Sequence, residues 1–340
     1  MGIGGGAVYD GLVAAAAMEA GRPLATRELF EPPPYSARVT KVKAGVRVIT
    51  DSTSYMPADW PERYGIQVVP VQVIVAGQPY DETDADQAER VARALHNFED
   101  VTTSRPAPDR FARAISAAAA DGATQVVIVT LSAAMSATYD SALIAAREAS
   151  IPVTVVDSRS IAMGLGLAVR AAAIAAQRGE SSERVAHIAE HVAQACSIVF
   201  YVDTLEYLRR GGRIGNARAV VGQALQVKPL LGVQDGAVVE RDRVRTTAKA
   251  MQRMVELAQQ AAHTIEHPCI VVQHLDAAQR AQELVMTLRT VFDQAEALEI
   301  IECPVGGVVG AHVGPGMVAV VVGPAEAQGT EDYAAGAKGF

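Results

Sequence analysis

Residues Gln125–Leu131 read QVVIVTL, and the residues after them, Ser132–Ala142, read SAAMSATYDSA. A short apolar run rich in valine and isoleucine indicates a strand that is buried on both faces. The small and polar residues that follow predict a loop, and the segment from Tyr139 to Ala149 has helical spacing. Strand, loop and helix in this order are the repeating unit of α/β proteins with parallel sheets.

The same order recurs along the chain and predicts the fold class. Val46–Thr50, Val153–Val156, Ser197–Val202 and Cys269–His274 read as further strands, with helical segments between most of them. A different signal comes from Asp235-Gly236, which lies between two short apolar pieces and predicts a hairpin turn.

We therefore predict an α/β protein of two α/β domains, with mostly parallel sheets flanked by helices and a ligand site between the domains. The proline and glycine content of the first residues predicts a flexible extension. The predicted ranges are 1–45 for the extension, 46–179 for the N-terminal domain, 180–323 for the C-terminal domain and 324–340 for a tail.

Composition limits the function classes. The chain of 340 residues is half hydrophobic, which suffices for a large core, and its net charge of −8 argues against a nucleic-acid partner. Cys196, Cys269 and Cys303 form no C-x-x-C pair, so they read as reduced, buried thiols. No run approaches the roughly 20 apolar residues of a membrane span. We expect a soluble, cytoplasmic protein without a metal site or cofactor.

Hydroxyl side chains collect where predicted strands end. Serine and threonine cap helices routinely, and capping explains Ser54, Ser158 and Ser181. The stretch VTTSRP at 101–106 is different, because its three consecutive hydroxyls lie in a predicted loop between two helices, before the proline that delays the next helix. We predict that hydroxyls of this loop, together with those after Leu131, bind a ligand.

Three further segments hold candidate binding residues. Leu205–Ala219 contains a glycine pair beside Arg213 that could cradle an anion, although it lacks the order of a P-loop. Arg245 lies near the start of a predicted helix, where it either binds an anion or is solvated. His312 lies in AHVGPG, which predicts a glycine-rich turn between strands that presents the imidazole to a pocket.

Taken together, these separated motifs resemble the DegV family over roughly Val46–Gly323. The stretches that carry the resemblance are ITDSTSYMP (49–57), VVPVQVIVAGQPYDE (68–82), TTSRP (102–106), LSAAMSATYDSA (131–142), VVDS (155–158), LEYLRRGGRI (205–214), KPLL with a following DG (228–236), VRTTAKA (244–250) and HVGPG (312–316).

The resemblance implies a two-domain protein that binds one long-chain fatty acid, with the acyl chain in an apolar tunnel. It implies no catalysis by this chain alone. Instead the protein would present the carboxylate to a separate ATP-dependent fatty-acid kinase subunit that makes an acyl phosphate, with transient contact to a membrane surface.

Carried over by position, the resemblance also implies roles for individual residues. Thr103 and Ser136 would hydrogen-bond the carboxylate, with Ser104, Ser132 and His312 as neighbours in the same site. Two basic residues would act near the head group and the kinase contact, namely Arg213 and Arg245.

The sequence departs from the family pattern at two positions. Arg105 stands where the family usually has glutamine, and Ala137 stands where glycine follows the key serine. Both differences affect the prediction of which acyl chain or head group the protein prefers.

Two other function classes remain open from the residues alone. One is a hydrolase with Ser136 as nucleophile, His312 as base and Asp51 or Asp157 as the orienting carboxylate, although the chain lacks G-x-S-x-G. The other is a nucleotide-dependent Rossmann enzyme, against which the absence of a clean glycine fingerprint argues.

Overall fold

A computed structural model describes residues 45–84, 86–215, 227–293 and 298–325. The extension predicted for residues 1–45 lies almost wholly outside these ranges, as does the tail beyond residue 325. The strands are β1 (Val46–Asp51), β2 (Gln67–Val69), β3 (Gln72–Val75), β4 (Gln78–Asp81), β5 (Val101–Ser104), β6 (Gln125–Thr130), β7 (Val153–Asp157), β8 (Ser197–Tyr201), β9 (Lys228–Gln234), β10 (Ala237–Val244), β11 (Pro268–Leu275), β12 (Glu299–Pro304) and β13 (Met317–Pro324).

Helices connect most of these strands. They are α1 (Trp60–Tyr64), α2 (Gln87–His96), α3 (Pro108–Ala120), α4 (Thr138–Arg147), α5 (Met163–Gln177), α6 (Ser182–Ala195), α7 (Glu206–Arg210), α8 (Thr247–Ala262), α9 (Ala278–Val291) and α10 (Gly307–Val313).

The strands form three sheets. The first has the order β2-β1-β6-β7 and is parallel, as the apolar runs predict. The second has the order β10-β9-β8-β13-β11-β12, and the third is a small antiparallel sheet of β4, β3 and β5.

The α/β fold class is confirmed, but the prediction of mostly parallel sheets holds for the first sheet alone. In the described part of the second sheet, only β11 and β12 pair in parallel, and every other pairing is antiparallel. Apolar runs indicate buried strands without indicating their direction, so local pattern could not separate the two cases. The predicted turn at Asp235-Gly236 does join β9 to β10.

Helices cover the sheets in layers. One face of the first sheet packs against α3 and α4, and its other face packs against α5 and α6. The same α5 and α6 also contact β13 of the second sheet, whose far face is covered by α8 and α9. Helix α5 is therefore buried almost all round, which its run of alanine, glycine and leucine permits.

The predicted domain boundary near Gly179 falls between α5 and α6, which pack against each other. The division into domains 46–179 and 180–323 stays a prediction.

Two local predictions are wrong. VTTS at 101–104 is strand β5 and pairs with β3, where the sequence predicts a loop between two helices. His312 lies in helix α10, where the sequence predicts a turn. Both segments owe their structure to partners far away in sequence.

Candidate functional site

A cavity of about 360 Å³ lies between the second sheet, helix α10 and strand β5. This volume is within the range of small-molecule sites. Its walls are mostly apolar and come from sheet residues such as Ile198, Phe200, Val233 and Ala319, together with valines of α10. Polar side chains gather at one end, so the cavity suits an amphipathic ligand.

Thr103 and His312 form the first polar pair at this end. Thr103 Oγ1 lies 2.9 Å from His312 Nε2, which joins β5 to α10. Burial, with the nearby Arg213 guanidinium, lowers the pKa of His312 to about 4, so the imidazole is neutral at pH 7. Its Nδ1 atom is buried and has no hydrogen-bond partner among the described residues.

Gly211, the residue directly after α7, packs closely against the imidazole of His312. A Cβ atom on Gly211 would clash with His312 Nδ1, so only glycine fits at this position. The neutral ring is thus packed on one side and hydrogen-bonded on the other.

Ser136 lies just before α4 and also lines the cavity. Its Oγ lies 2.9 Å from Thr138 Oγ1 and accepts a hydrogen bond from the Thr138 backbone N–H at 3.3 Å. Ser136 therefore acts as a local turn residue and also borders the cavity.

Arg213 links the two hydroxyl-bearing segments. Its Nε donates to the Met135 carbonyl at 3.0 Å, beside Ser136, and its Nη1 donates to the Gly211 carbonyl at 2.7 Å, beside His312. Thr103, Ser136 and His312 with Arg213 are hereafter the polar end of the cavity.

The remaining predicted site residues divide into two groups. Ser104 lines the cavity, as do Arg105 and Ala137 at the two departures from the family pattern. Ser132 and Arg245 do not line it. Ser132 is buried and donates to the Gly236 carbonyl at 2.7 Å, which ties the loop after β6 to the β9–β10 turn. Arg245 is exposed just after β10.

The carboxylates of the hydrolase alternative are used elsewhere. Asp51 is fully buried and accepts from the Thr53 backbone N–H at 3.0 Å and from the Leu131 N–H at 2.8 Å. Asp157 accepts from the backbone N–H groups of Ala133 and Arg159. In the described structure no carboxylate orients His312 Nδ1, so the triad that such an enzyme needs is not assembled.

Sequence reasoning missed a buried acidic cluster next to the cavity. Glu82 Oε1 accepts from the Tyr55 hydroxyl at 2.5 Å and from the Val308 N–H of α10 at 2.7 Å, and its Oε2 accepts from the Ser52 hydroxyl at 2.6 Å. Burial raises the pKa of Glu82 to about 7 despite these bonds. Glu82 and Tyr55 lie within quoted motifs, but no local pattern marks them as partners.

The described residues contain neither a membrane-spanning helix nor a cluster of metal-binding side chains. None of the helices there is long and apolar enough to cross a membrane. No group of three or more histidine, cysteine, aspartate or glutamate side chains in this part of the chain could hold a metal ion.

Comparison with known proteins gives consistent matches over the folded region. The model of the DegV family matches residues 45–325. A DegV domain-containing protein of Streptomyces coelicolor is 44% identical over 277 residues, covering 82% of this chain and 98% of its own.

Solved structures agree. A fatty-acid-binding DegV family protein from Thermus thermophilus has a TM-score of 0.75 and 30% identity, with 82% of this chain and 99% of that chain covered. DegV from Bacillus subtilis, a fatty acid binding protein, has a TM-score of 0.75 and 27% identity, with 83% and 99% covered.

Proposed function

The chain belongs to the DegV family, and on that premise we propose that it binds one long-chain fatty acid. The acyl chain occupies the apolar cavity, and the carboxylate lies at the polar end against Thr103 and Ser136. A separate ATP-dependent kinase subunit then phosphorylates the bound carboxylate to an acyl phosphate.

One observation carries this proposal: an apolar cavity whose polar end is built mainly from uncharged donors. A carboxylate that leaves water must have its charge satisfied. Thr103 and Ser136 can each donate a hydroxyl hydrogen bond, and His312 is neutral. Two arginines, Arg213 and Arg105, also line the cavity, and both are exposed.

The 2.9 Å contact between Thr103 and His312 suggests a chain of hydrogen bonds. In the tautomer with hydrogen on Nε2, His312 donates to Thr103 Oγ1, and the Thr103 hydroxyl is then free to donate to the carboxylate. Chains of this kind polarise their members and strengthen the final bond. His312 is therefore a positioning residue for Thr103.

The tail supplies most of the affinity. Burial contributes about 0.8 kcal/mol per CH₂, so a sixteen-carbon chain contributes on the order of 10 kcal/mol before ordering costs. Hydroxyl donors then need only satisfy the head group, which leaves a carboxylate oxygen able to attack a phosphoryl group.

We propose further that this chain performs no chemistry by itself. Arg213 and Arg245 are exposed, and both are available to a kinase subunit or to its transferred phosphoryl group. Among the described residues, the Ser136 hydroxyl is hydrogen-bonded to Thr138 and to no histidine or carboxylate that could activate it.

Extraction of the purified protein with organic solvent, followed by mass spectrometry, tests the binding proposal. We expect about one fatty acid per chain, and acyl phosphate only after a kinase subunit and ATP are added. Absence of fatty acid, together with no uptake by delipidated protein, would refute the proposal. Ester hydrolysis that disappears in Ser136→Ala would instead favour the hydrolase.

A further inference from the structure

A second cavity, of about 490 Å³, lies behind the apolar one, and its character is opposite. It is a polar cleft lined by Arg159, Arg241, Asp235, Gln194 and Gln234, with Ser158 and Ser160 beneath. Both arginine side chains are exposed. Charged and amide groups here face water and would lose hydration against an acyl chain.

Two residues, Ile198 and Val233, line both cavities. Val199 of β8 pairs with Gly232 of β9, so Ile198 and Val233 are the next positions across the same antiparallel ladder. We call these two residues the end wall.

The end wall lies further along the second sheet than Met317, which also lines the cavity. Met317 is the first residue of β13, the strand that follows α10 in the chain. Ile198 pairs with Val321, four residues further along β13. At about 3.3 Å per residue, roughly 13 Å of sheet surface separates Met317 from the end wall.

Packing from α5 holds the end wall in place. Ile198 is 6% exposed, and a Cβ atom on Gly164 would lie 2.7 Å from Ile198 Cδ1. Glycine at this helical position therefore leaves the space that the isoleucine side chain occupies. A close-packed side chain of this kind cannot swing aside without displacing its neighbours.

We propose that Ile198 and Val233 determine the longest acyl chain that the protein accepts. This inference rests on the proposed function. The methyl end of the chain stops against the end wall, because a longer chain would have to displace Ile198 and enter the arginine-lined cleft. Chain length is thus set by a boundary between an apolar and a polar cavity.

Substitutions that move the wall in opposite directions test the proposal. Delipidated protein is incubated with an equimolar mixture of saturated C12 to C20 acids, and the bound acids are extracted and measured by mass spectrometry. Ile198→Ala removes three side-chain carbons, and we expect the preferred length to increase by about two to three carbons. Ile198→Phe should decrease it.

Val199→Ala is the matched control. Val199 is the next residue of β8 but faces the opposite core with α8 and α9, so its truncation should leave the length distribution unchanged. If Ile198→Phe does not fold, Val233→Leu supplies the enlarging variant at the same wall.

The outcomes separate the two proposals. A longer preferred acyl chain in Ile198→Ala and a shorter one in Ile198→Phe, with no change in Val199→Ala, support the end wall. Fatty acid bound by all variants with one unchanged distribution would overturn it, while a parent protein that takes up no fatty acid refutes the proposed function instead.

Discussion

Helix α10 touches two buried polar regions that differ in how their hydrogen bonds are used. At its start, the backbone N–H groups of Val308 and Val309 donate to Glu82 and to the Tyr55 hydroxyl. In its last turn, His312 contacts Thr103 at the polar end of the cavity. One helix therefore connects a structural cluster to a candidate binding site.

The difference lies in unused hydrogen-bonding capacity. Both carboxylate oxygens of Glu82 accept bonds, and Ser52 both donates to Glu82 and accepts from the Val71 N–H. At the polar end, the Thr103 hydroxyl contacts only His312 Nε2 in the described structure, and the Ser136 hydroxyl contacts only its neighbour Thr138. Satisfied groups hold the fold, and groups with spare capacity can hold a ligand.

The largest effect should come from removing the centre of the acidic cluster. Glu82→Ala leaves the donors of Ser52, Tyr55 and Val308 unpaired in a buried site. We expect the free energy of unfolding to fall by about 3–5 kcal/mol, measured by urea denaturation. Glu89→Ala on α2 is the control, because its exposed pair with Arg93 should contribute less than about 0.5 kcal/mol. Equal stability of the two variants would contradict a structural role for Glu82.

The raised pKa of Glu82 predicts a pH dependence of stability. Because the folded pKa is about 7 and the ordinary value is 4.5, the folded state binds the proton more tightly. Glu82 therefore stabilises the fold most below pH 4.5, and that contribution is lost as pH rises to about 7, by about 3 kcal/mol in all.

His312 has the opposite effect on stability over nearly the same pH range, because its lowered pKa makes stability rise between about pH 4 and 6.5. The difference in unfolding free energy between the parent and Glu82→Gln isolates the contribution of Glu82, because His312 is present in both proteins. Asp51, whose pKa burial also raises, and Tyr55 face Glu82 and are present in both proteins. A difference in unfolding free energy that stays constant from pH 5 to 8 would contradict the prediction.

At the polar end, we expect losses in affinity with the fold intact. Thr103→Ala or Ser136→Ala should each cost about 1.5–3 kcal/mol, roughly a ten- to hundredfold loss in fatty-acid affinity by calorimetry on delipidated protein. The double variant should lose most of the bound fatty acid, non-additively, because both hydroxyls share one ligand.

Thr102→Ala provides the matched control for these variants. Thr102 is the neighbouring residue on β5, is exposed and does not line the cavity. If Thr103→Ala and Ser136→Ala both bind as tightly as Thr102→Ala, the carboxylate lies elsewhere.

The smallest effect on lipid affinity should come from the two arginines. Arg213→Ala and Arg245→Ala should leave fatty acid bound and should lower kinase-coupled acyl-phosphate formation. Arg213→Lys keeps the positive charge but cannot keep both carbonyl contacts. It should therefore restore part of the rate only if the charge itself is what the reaction needs. Loss of bound lipid in both alanine variants, with the fold intact, would make them carboxylate ligands instead.

Local pattern alone was enough for the α/β class, most strand and helix positions and the β9–β10 hairpin, because periodicity and turn chemistry are short-range properties. It also pointed to the hydroxyls of the VTTSRP stretch, to those after Leu131 and to His312. The resemblance narrowed the hydroxyls to Thr103 and Ser136, which line one cavity with His312. Resemblance of whole motifs added the family, which no single residue pattern contains.

Tertiary structure decided the rest. The glycines of AHVGPG, Gly314 and Gly316, do turn the chain at positive φ, but His312 lies in the helix before that turn. The helix packs closely there, since a Cβ on Gly310 would lie 2.9 Å from Leu275 Cδ2. Thr103 became part of a strand through pairing with distant Val73. The mostly antiparallel second sheet, the Glu82 cluster and the end wall likewise depend on partners far apart in sequence, whose contacts no local window contains.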